Sequence, residues 1–154
     1  MLVVIGLSNA GACLAQSHKE LRFDTSKIAI LTFVQKYGYP FDRSYKPATL
    51  THEDLANIDS LFLACVADYN KPFDKNRSHW RIELNKRTYR KQLIAVTNKK
   101  GEKEVWVNCF CDTWGDDRWK TEMLLVDDGG NCYFNFKINL ATKQYYELLV
   151  NGLA

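Results

Sequence analysis

The chain has 154 residues, of which 46% are hydrophobic, 13% aromatic and 25% charged, and its formal net charge is +3. This apolar fraction, with only three prolines, excludes collagen-like, coiled-coil and wholly disordered chains. A single domain with its own core is expected at this length, because a chain of about 150 residues buries roughly 68% of its unfolded surface.

Residues 1–15 predict a secretory signal peptide. They carry no charged side chain, and a short apolar run from Leu2 to Leu7 is followed by small residues. Such a run is too short for a membrane-spanning helix. A lipoprotein anchor at Cys13 and an ordinary buried strand are the alternatives. We expect a secreted or periplasmic protein with one domain over residues 16–154 and no membrane span.

An N-terminal strand and an ordered loop are predicted next. Lys27 to Val34 is a short apolar run rich in β-branched residues, which favours a strand. Gln35 to Ala48 holds glycine, two prolines and four aromatic residues, which is typical of an ordered loop.

One amphipathic helix is predicted to begin after Thr51. The Thr51 hydroxyl can cap the first turn, and Asp54 completes a capping box. The helix is expected to end at Asn70-Lys71-Pro72. Apolar side chains recur along it at steps of three and four, at Leu55, Ile58, Phe62, Cys65 and Tyr69. This single apolar stripe requires a sheet to pack against.

The remainder of the chain predicts that sheet. Five strands alternate with turns, over 89–97, 102–111, 119–126, 131–139 and 145–150. Because no crossover helix remains between them, we expect an antiparallel meander. The predicted fold is therefore α+β, with one N-terminal helix packed on a curved antiparallel sheet of five to six strands.

Hydrophobic pairing predicts the registers of the last two hairpins. A turn at 127–130 would place Met123 opposite Phe134 on the core face. The final hairpin would place Phe136 opposite Leu148, and Lys137 opposite Glu147 on the outer face.

The first hairpin, Tyr89–Cys111, is apolar on both faces when Leu93 is placed opposite Trp106. One face is expected to lie under the helix. The other requires cover from the N-terminal segment or from a partner, and a homodimer through this hairpin face is one such expectation.

The segments Lys100–Cys111, Asp127–Asn135 and Tyr145–Gly152 together resemble an uncharacterised group of small secreted bacterial proteins. The resemblance implies export and a single domain, and it carries no activity. A helix followed by a long antiparallel meander is also similar in outline to the cystatin and NTF2-like architectures, which host many functions.

Three functions are compatible with this outline. An NTF2-like enzyme requires an acid–base pair inside the curved sheet, with His79 or Asp68 pointing into a pocket, but the predicted inward positions carry no carboxylate. A cystatin-type inhibitor requires a Gln-x-Val-x-Gly loop, whereas Gln92 to Val96 lacks the glycine and lies in a predicted strand. We therefore favour a non-catalytic binding module, with the enzyme and the inhibitor as alternatives.

The loop Asp112–Trp119 is the candidate ligand site. The rings of Trp114 and Trp119 could stack on a sugar, and the carboxylates of Asp116 and Asp117 could accept hydrogen bonds from its hydroxyls. An ordered loop without a ligand is the alternative. A protein or a glycan is the expected partner, and nucleic acid is not, because the basic segment 71–104 carries no clear stacking motif.

Four cysteines remain after the predicted leader: Cys65, Cys109, Cys111 and Cys132. In an exported protein we expect a disulfide between Cys132 and either Cys109 or Cys111, with Cys109 and Cys132 as the working pair. The cysteine and histidine spacings match no metal site, and no histidine is placed beside a cysteine, so neither a metal, a cofactor nor a catalytic cysteine is expected.

Overall fold

The computed structural model describes residues 24–74 and 80–152, so the predicted leader, Cys13, His18 and His79 lie outside the described residues. Within that part the chain forms an α+β fold of one α-helix and a six-stranded mixed sheet. This confirms the predicted fold class. The elements are β1 (Ile28–Leu31), β2 (Lys46–Pro47), α1 (His52–Asn70), β3 (Arg90–Thr97), β4 (Lys103–Phe110), β5 (Tyr133–Asn139) and β6 (Gln144–Val150).

Helix α1 begins and ends as predicted. The Thr51 hydroxyl accepts from the backbone N–H of Asp54, and the Asp54 carboxylate accepts from the N–H of Thr51, which completes the capping box. The buried side of the helix is formed by Ile58, Phe62, Cys65 and Val66. None of the helices within residues 24–74 and 80–152 has both the length and the hydropathy of a membrane-spanning segment.

The sheet is mixed rather than purely antiparallel. Strands β3, β4, β5 and β6 form the predicted meander, but β1 pairs with β3 in parallel, with Ile28 opposite Lys91. Helix α1 follows β1 and precedes β3, so it lies within the long crossover that a parallel pair requires. No α-helix lies between the strands β3 to β6, as predicted. The prediction of a wholly antiparallel sheet was wrong because the N-terminal strand was not considered as a member of this sheet. Strand β2 occupies the rest of the same β3 edge, antiparallel to it.

The β3–β4 hairpin is shifted by one residue from the predicted register. Ile94, rather than Leu93, lies opposite Trp106. Leu93, Ala95, Val105 and Val107 consequently share the helix-side face of the sheet. Ile94, Val96 and Trp106 share the opposite face, which we call the loop-side face.

The chain itself covers both faces of this hairpin. On the loop-side face, the segment 32–45 places Phe33 and Phe41 over Ile94 and Trp106, and these four side chains are buried. The prediction of cover on two sides is therefore confirmed, with the N-terminal segment as the cover. The surface from which a homodimer was expected is occupied by residues of the same chain.

The predicted strand 119–126 is not a strand. Its first residues form a 3-10 turn at Arg118–Lys120, and the remainder is an extended loop on the loop-side face. Strand β5 pairs with β4 on one edge and β6 on the other, so it offers this segment no free edge. Met123 consequently does not face Phe134, which packs under helix α1 instead.

The last hairpin contains two registers joined by a bulge. Phe134 pairs with Val150 as predicted, whereas Lys137 pairs with Tyr146, one residue out of that register. Glu147 lies in the bulge with a φ of 52°, and its carboxylate forms an ion pair with Lys137 at 2.6 Å. The predicted Lys137–Glu147 contact is thus present although the two residues are not directly opposed.

Candidate functional site

The predicted ligand loop does not bring its two tryptophans together. Trp114 is 65% exposed and stacks on Tyr133, with ring centroids 5.7 Å apart and an interplanar angle of 17°. Trp119 is only 4% exposed and packs edge-on against Phe110 at 5.4 Å. Only the Trp114 ring is therefore available to a ligand, so the paired stacking platform expected from the sequence is not formed.

The two aspartates of that loop are paired within it. Asp116 forms an ion pair with Arg118 at 2.6 Å, and hydrogen bonds from Arg118 lower the pKa of the Asp116 carboxyl. Asp117 forms an ion pair with Lys120 at 2.9 Å. These ion pairs and hydrogen bonds within the loop hold the turn in place, so both carboxylates already have partners in the loop.

The disulfide joins Cys132 to Cys111 and not to Cys109, at an S–S distance of 2.02 Å. The register explains this choice. Cys109 lies opposite Phe134 on the helix-side face, whereas Cys111 follows the end of β4 and its N–H donates to the Cys132 carbonyl at 3.0 Å. The working pair Cys109–Cys132 was therefore wrong, and the alternative pair Cys111–Cys132 is the one that forms.

The two free cysteines of the described residues, Cys65 and Cys109, are buried in the helix-side core. Burial raises the pKa of the Cys65 thiol to about 12 and raises that of Cys109 as well. A thiol is a nucleophile only as the thiolate, so neither group is suited to catalysis.

The described residues of the alternative enzyme site do not converge on a cavity. Asp68 lies on the exposed side of α1, where it accepts a hydrogen bond from the Tyr145 hydroxyl and pairs with Lys71. Among the described residues the one buried carboxylate is Glu104, which lies opposite Val96 on the loop-side face, and no described histidine is buried. The inhibitor alternative also lacks its loop, because Gln92 to Val96 is buried inside β3.

In the part of the chain that the structure describes, no group of three His, Cys, Asp or Glu side chains is placed to hold a metal ion. No protein-family model, curated protein or solved structure matches this chain. Two surfaces of the described residues are candidate binding sites.

The first is an apolar groove of about 760 Å³ on the loop-side face, which we call the loop-side groove. Its floor includes the buried Ile94, and its walls come from β1, the segment 32–45 and the loop after Trp119. Among the described residues that line it, Lys120 is the only one with a charged side chain. Five exposed large apolar residues line it: Ile30, Val34, Tyr37, Tyr39 and Leu125.

The walls of this groove are held by specific bonds. The Gln35 side-chain amide donates to the carbonyls of Arg43 and Tyr45, at 2.6 and 3.1 Å, which closes the segment 32–45. On the opposite wall, the backbone N–H of Leu124 donates to Gln92 at 2.9 Å. The apolar side chains are thus exposed on an ordered framework.

This groove was not predicted from the sequence. The predicted strand 119–126 would put Leu125 on the same core face as Met123, because alternate residues of a strand share a face, yet Leu125 is 61% exposed. The one available signal was the group of aromatic residues between Gln35 and Ala48, where a loop on an ordinary soluble domain would carry mainly polar side chains.

The second surface is a polar pocket of about 860 Å³ between the β3–β4 turn and the β5–β6 turn, which we call the turn pocket. Its deepest acidic residue is Glu104, which is 5% exposed. The Glu104 carboxylate accepts hydrogen bonds from the Asn98 amide at 2.6 Å, from the Tyr45 hydroxyl at 3.5 Å and from the Tyr146 hydroxyl. Burial and the bond to Glu104 raise the pKa of Tyr146 well above its usual range.

A second carboxylate of the turn pocket is held in the same way. Glu102 accepts hydrogen bonds from Asn98 at 2.9 Å and from Asn139 at 3.0 Å, and these bonds lower its pKa. The two amides fix the orientation of the Glu102 carboxylate. Because they also lower its pKa, Glu102 remains ionised at neutral pH. The arrangement is suited to accepting hydrogen bonds from a polar ligand.

Proposed function

We propose that the protein is an exported, non-catalytic binding module whose ligand occupies the loop-side groove. The observation that supports this most directly is the convergence of five exposed large apolar side chains on one ordered groove. Exposed apolar groups are common singly, but a contiguous apolar patch on a soluble domain is typical of a binding site.

The lining of the groove favours a small apolar molecule with an acidic group. Its volume of about 760 Å³ falls in the range of small-molecule pockets. Lys120 supplies the one charge of the lining that the structure describes, and its partner Asp117 has a side chain that is 80% exposed. Exposed ion pairs contribute little, so an anionic ligand group can replace Asp117 at small cost.

A fluorescence titration with 8-anilinonaphthalene-1-sulfonate tests this proposal, since that probe is an apolar aromatic molecule with one anionic group. We expect saturable binding by the folded protein and a loss of affinity of at least fivefold in Leu125→Ser. Leu63→Ser is the matched control, because Leu63 is a 51% exposed leucine on helix α1 outside the groove. Equal binding by the two variants would refute the groove as the ligand site.

The acidic group is tested separately with Lys120→Met, which keeps an apolar side chain of similar length. We expect this variant to weaken binding of the sulfonate probe while it retains binding of the uncharged probe N-phenyl-1-naphthylamine. An equal effect on both probes would contradict a role for the Lys120 charge. Near-ultraviolet circular dichroism of each variant checks that the probes report on folded protein.

Export is supported by the apolar residues 1–15 and by the disulfide, because disulfides persist mainly in oxidising compartments. Expression of the whole chain in a bacterial host, followed by mass spectrometry of the periplasmic fraction, tests it. We expect a mature protein that begins at or near Gln16. Retention of an uncleaved chain in the cytoplasm would contradict export.

A further inference from the structure

We propose that the turn pocket is a second binding site, and that it takes a neutral carbohydrate of one or two sugar rings. Its composition is the opposite of that of the loop-side groove, because every residue that lines it carries a side chain capable of hydrogen bonding. The lining residues are Tyr45, Asn98, Lys100, Glu102, Glu104, Asn139, Thr142, Lys143, Gln144, Tyr145 and Tyr146. A volume of about 860 Å³ is ample for such a ligand.

The formal charges of the lining favour a neutral ligand. The carboxylates of Glu102 and Glu104 are balanced by the ammonium groups of Lys100 and Lys143, so the described lining of the pocket carries no net formal charge. The net charge of the lining therefore favours neither an anionic nor a cationic ligand. A ligand with many hydroxyl groups can bond to the acidic and the basic side chains alike.

The hydrogen-bonding groups are oriented before any ligand arrives. The Asn98 amide nitrogen donates to both Glu102 and Glu104, and the Asn139 amide donates to the same Glu102 oxygen. The other Glu102 oxygen, Oε1, accepts no hydrogen bond from the part of the chain that the structure describes, so it can accept from a sugar hydroxyl. Groups that are already ordered lose less conformational entropy when they bind.

Two tyrosines, Tyr45 and Tyr146, supply the apolar surface that a sugar ring also requires, whereas the Tyr145 ring lies on the helix-side face of the sheet. Tyr45 and Tyr146 donate their hydroxyls to Glu104, and Tyr145 donates its hydroxyl to Asp68 on helix α1. Each ring is thereby anchored at its polar end. Tyrosine offers a flat apolar face together with a polar tip, which suits the mixed CH and OH surface of a carbohydrate.

The sharpest test is calorimetric titration of the full chain with three neutral disaccharides, cellobiose, maltose and N,N′-diacetylchitobiose. We expect at least one to bind with a dissociation constant of about 1 mM or tighter. Glu102→Gln keeps the size and shape of the side chain and should weaken that binding at least fivefold. Glu147→Gln is the matched control, because Glu147 lies on the neighbouring strand β6 and outside the lining, and it should leave the affinity unchanged.

Two further arms separate this site from its alternatives. Leu125→Ser, which alters the loop-side groove, should not affect disaccharide binding. The cation 1,4-diaminobutane should bind more weakly than the best disaccharide, because the pocket has no net formal charge. The proposal is overturned if no disaccharide binds, if Glu102→Gln and Glu147→Gln have equal effects, if Leu125→Ser weakens the sugar, or if the diamine binds more tightly.

Discussion

Asn108 on β4 donates its side-chain amide to Oε1 of Gln92 on β3, at 3.1 Å, and both side chains are buried. Gln92 also donates to the carbonyls of Trp119 and Glu122, at 2.6 Å each, and accepts from the N–H of Leu124 at 2.9 Å. The backbone groups of the loop 119–124 therefore form hydrogen bonds with the buried Gln92 side chain, where a strand would bond to the backbone of a neighbouring strand.

Replacing Gln92 by leucine should destabilise the fold by about 3 kcal/mol, because it removes the partner of the buried Asn108 amide and of three backbone groups that are buried or part-buried. Chemical denaturation of the two proteins measures the difference. Gln144→Leu is the control, since Gln144 is an exposed glutamine on β6, and it should change stability by less than about 0.5 kcal/mol. If both variants lost the same free energy of unfolding, the hydrogen bonds of Gln92 would contribute no more to stability than an exposed glutamine does.

The hydrogen bonds of Gln92 and Asn108 explain why some elements could be predicted from the sequence and the segment 119–126 could not. The capping box of α1 and the apolar alternation of β5 are local signals, and both are present in the structure. The segment 119–126 has the composition of a strand, but its backbone bonds depend on Gln92 and Asn108, which precede it in the chain. That dependence is tertiary and leaves no periodic signal.

The candidate sites were harder to predict for a related reason. The tryptophan–aspartate loop looked like a site because its residue types are close in sequence, yet the fold turns Trp119 inward. The loop-side groove and the turn pocket combine residues that are distant in the chain, such as Val34 with Leu125 and Tyr45 with Tyr146. Their chemistry becomes visible only once the strand order is known.

The Cys111–Cys132 disulfide closes the loop that carries Leu125, with a sequence separation of 21. Removing it in the double variant Cys111→Ser/Cys132→Ser should lower the free energy of unfolding by about 3 kcal/mol, because the unfolded chain regains entropy. Thermal unfolding with and without a reducing agent measures this. The reductant should destabilise the wild type and leave the double variant unchanged, and a wild type insensitive to complete reduction would contradict the prediction.

The buried thiols of Cys65 and Cys109 should be unreactive in the native state. Burial raises both pKa values, that of Cys65 to about 12, so almost no thiolate is present at pH 8. In a Cys13→Ser background without reductant, labelling with 5,5′-dithiobis(2-nitrobenzoate) should detect no thiol in the folded protein and two after denaturation. Rapid labelling of the folded protein would show that the helix-side core opens at these positions.

Asp54 should make the stability of the protein depend on acid pH. Burial would raise the pKa of this carboxyl, but hydrogen bonds from Lys103 and Thr51 outweigh it and lower the pKa below its ordinary value. A lowered pKa means that the ionised form stabilises the fold. This contribution is complete above the unfolded pKa of about 3.9 and is lost as the pH falls through the lower folded value.

The variant Asp54→Asn keeps the size of the capping side chain and its hydrogen-bond acceptor but cannot ionise. We expect it to be about 1 kcal/mol less stable than the wild type from pH 5 to 8, with the difference shrinking as the pH falls below about 4. Denaturation at a series of pH values measures this difference. In a double-mutant cycle with Lys103→Met the effect of Asp54→Asn should decrease, because the ion pair across α1 and β4 is already absent. A difference that is independent of pH and of Lys103 would assign the role of Asp54 to uncharged capping alone.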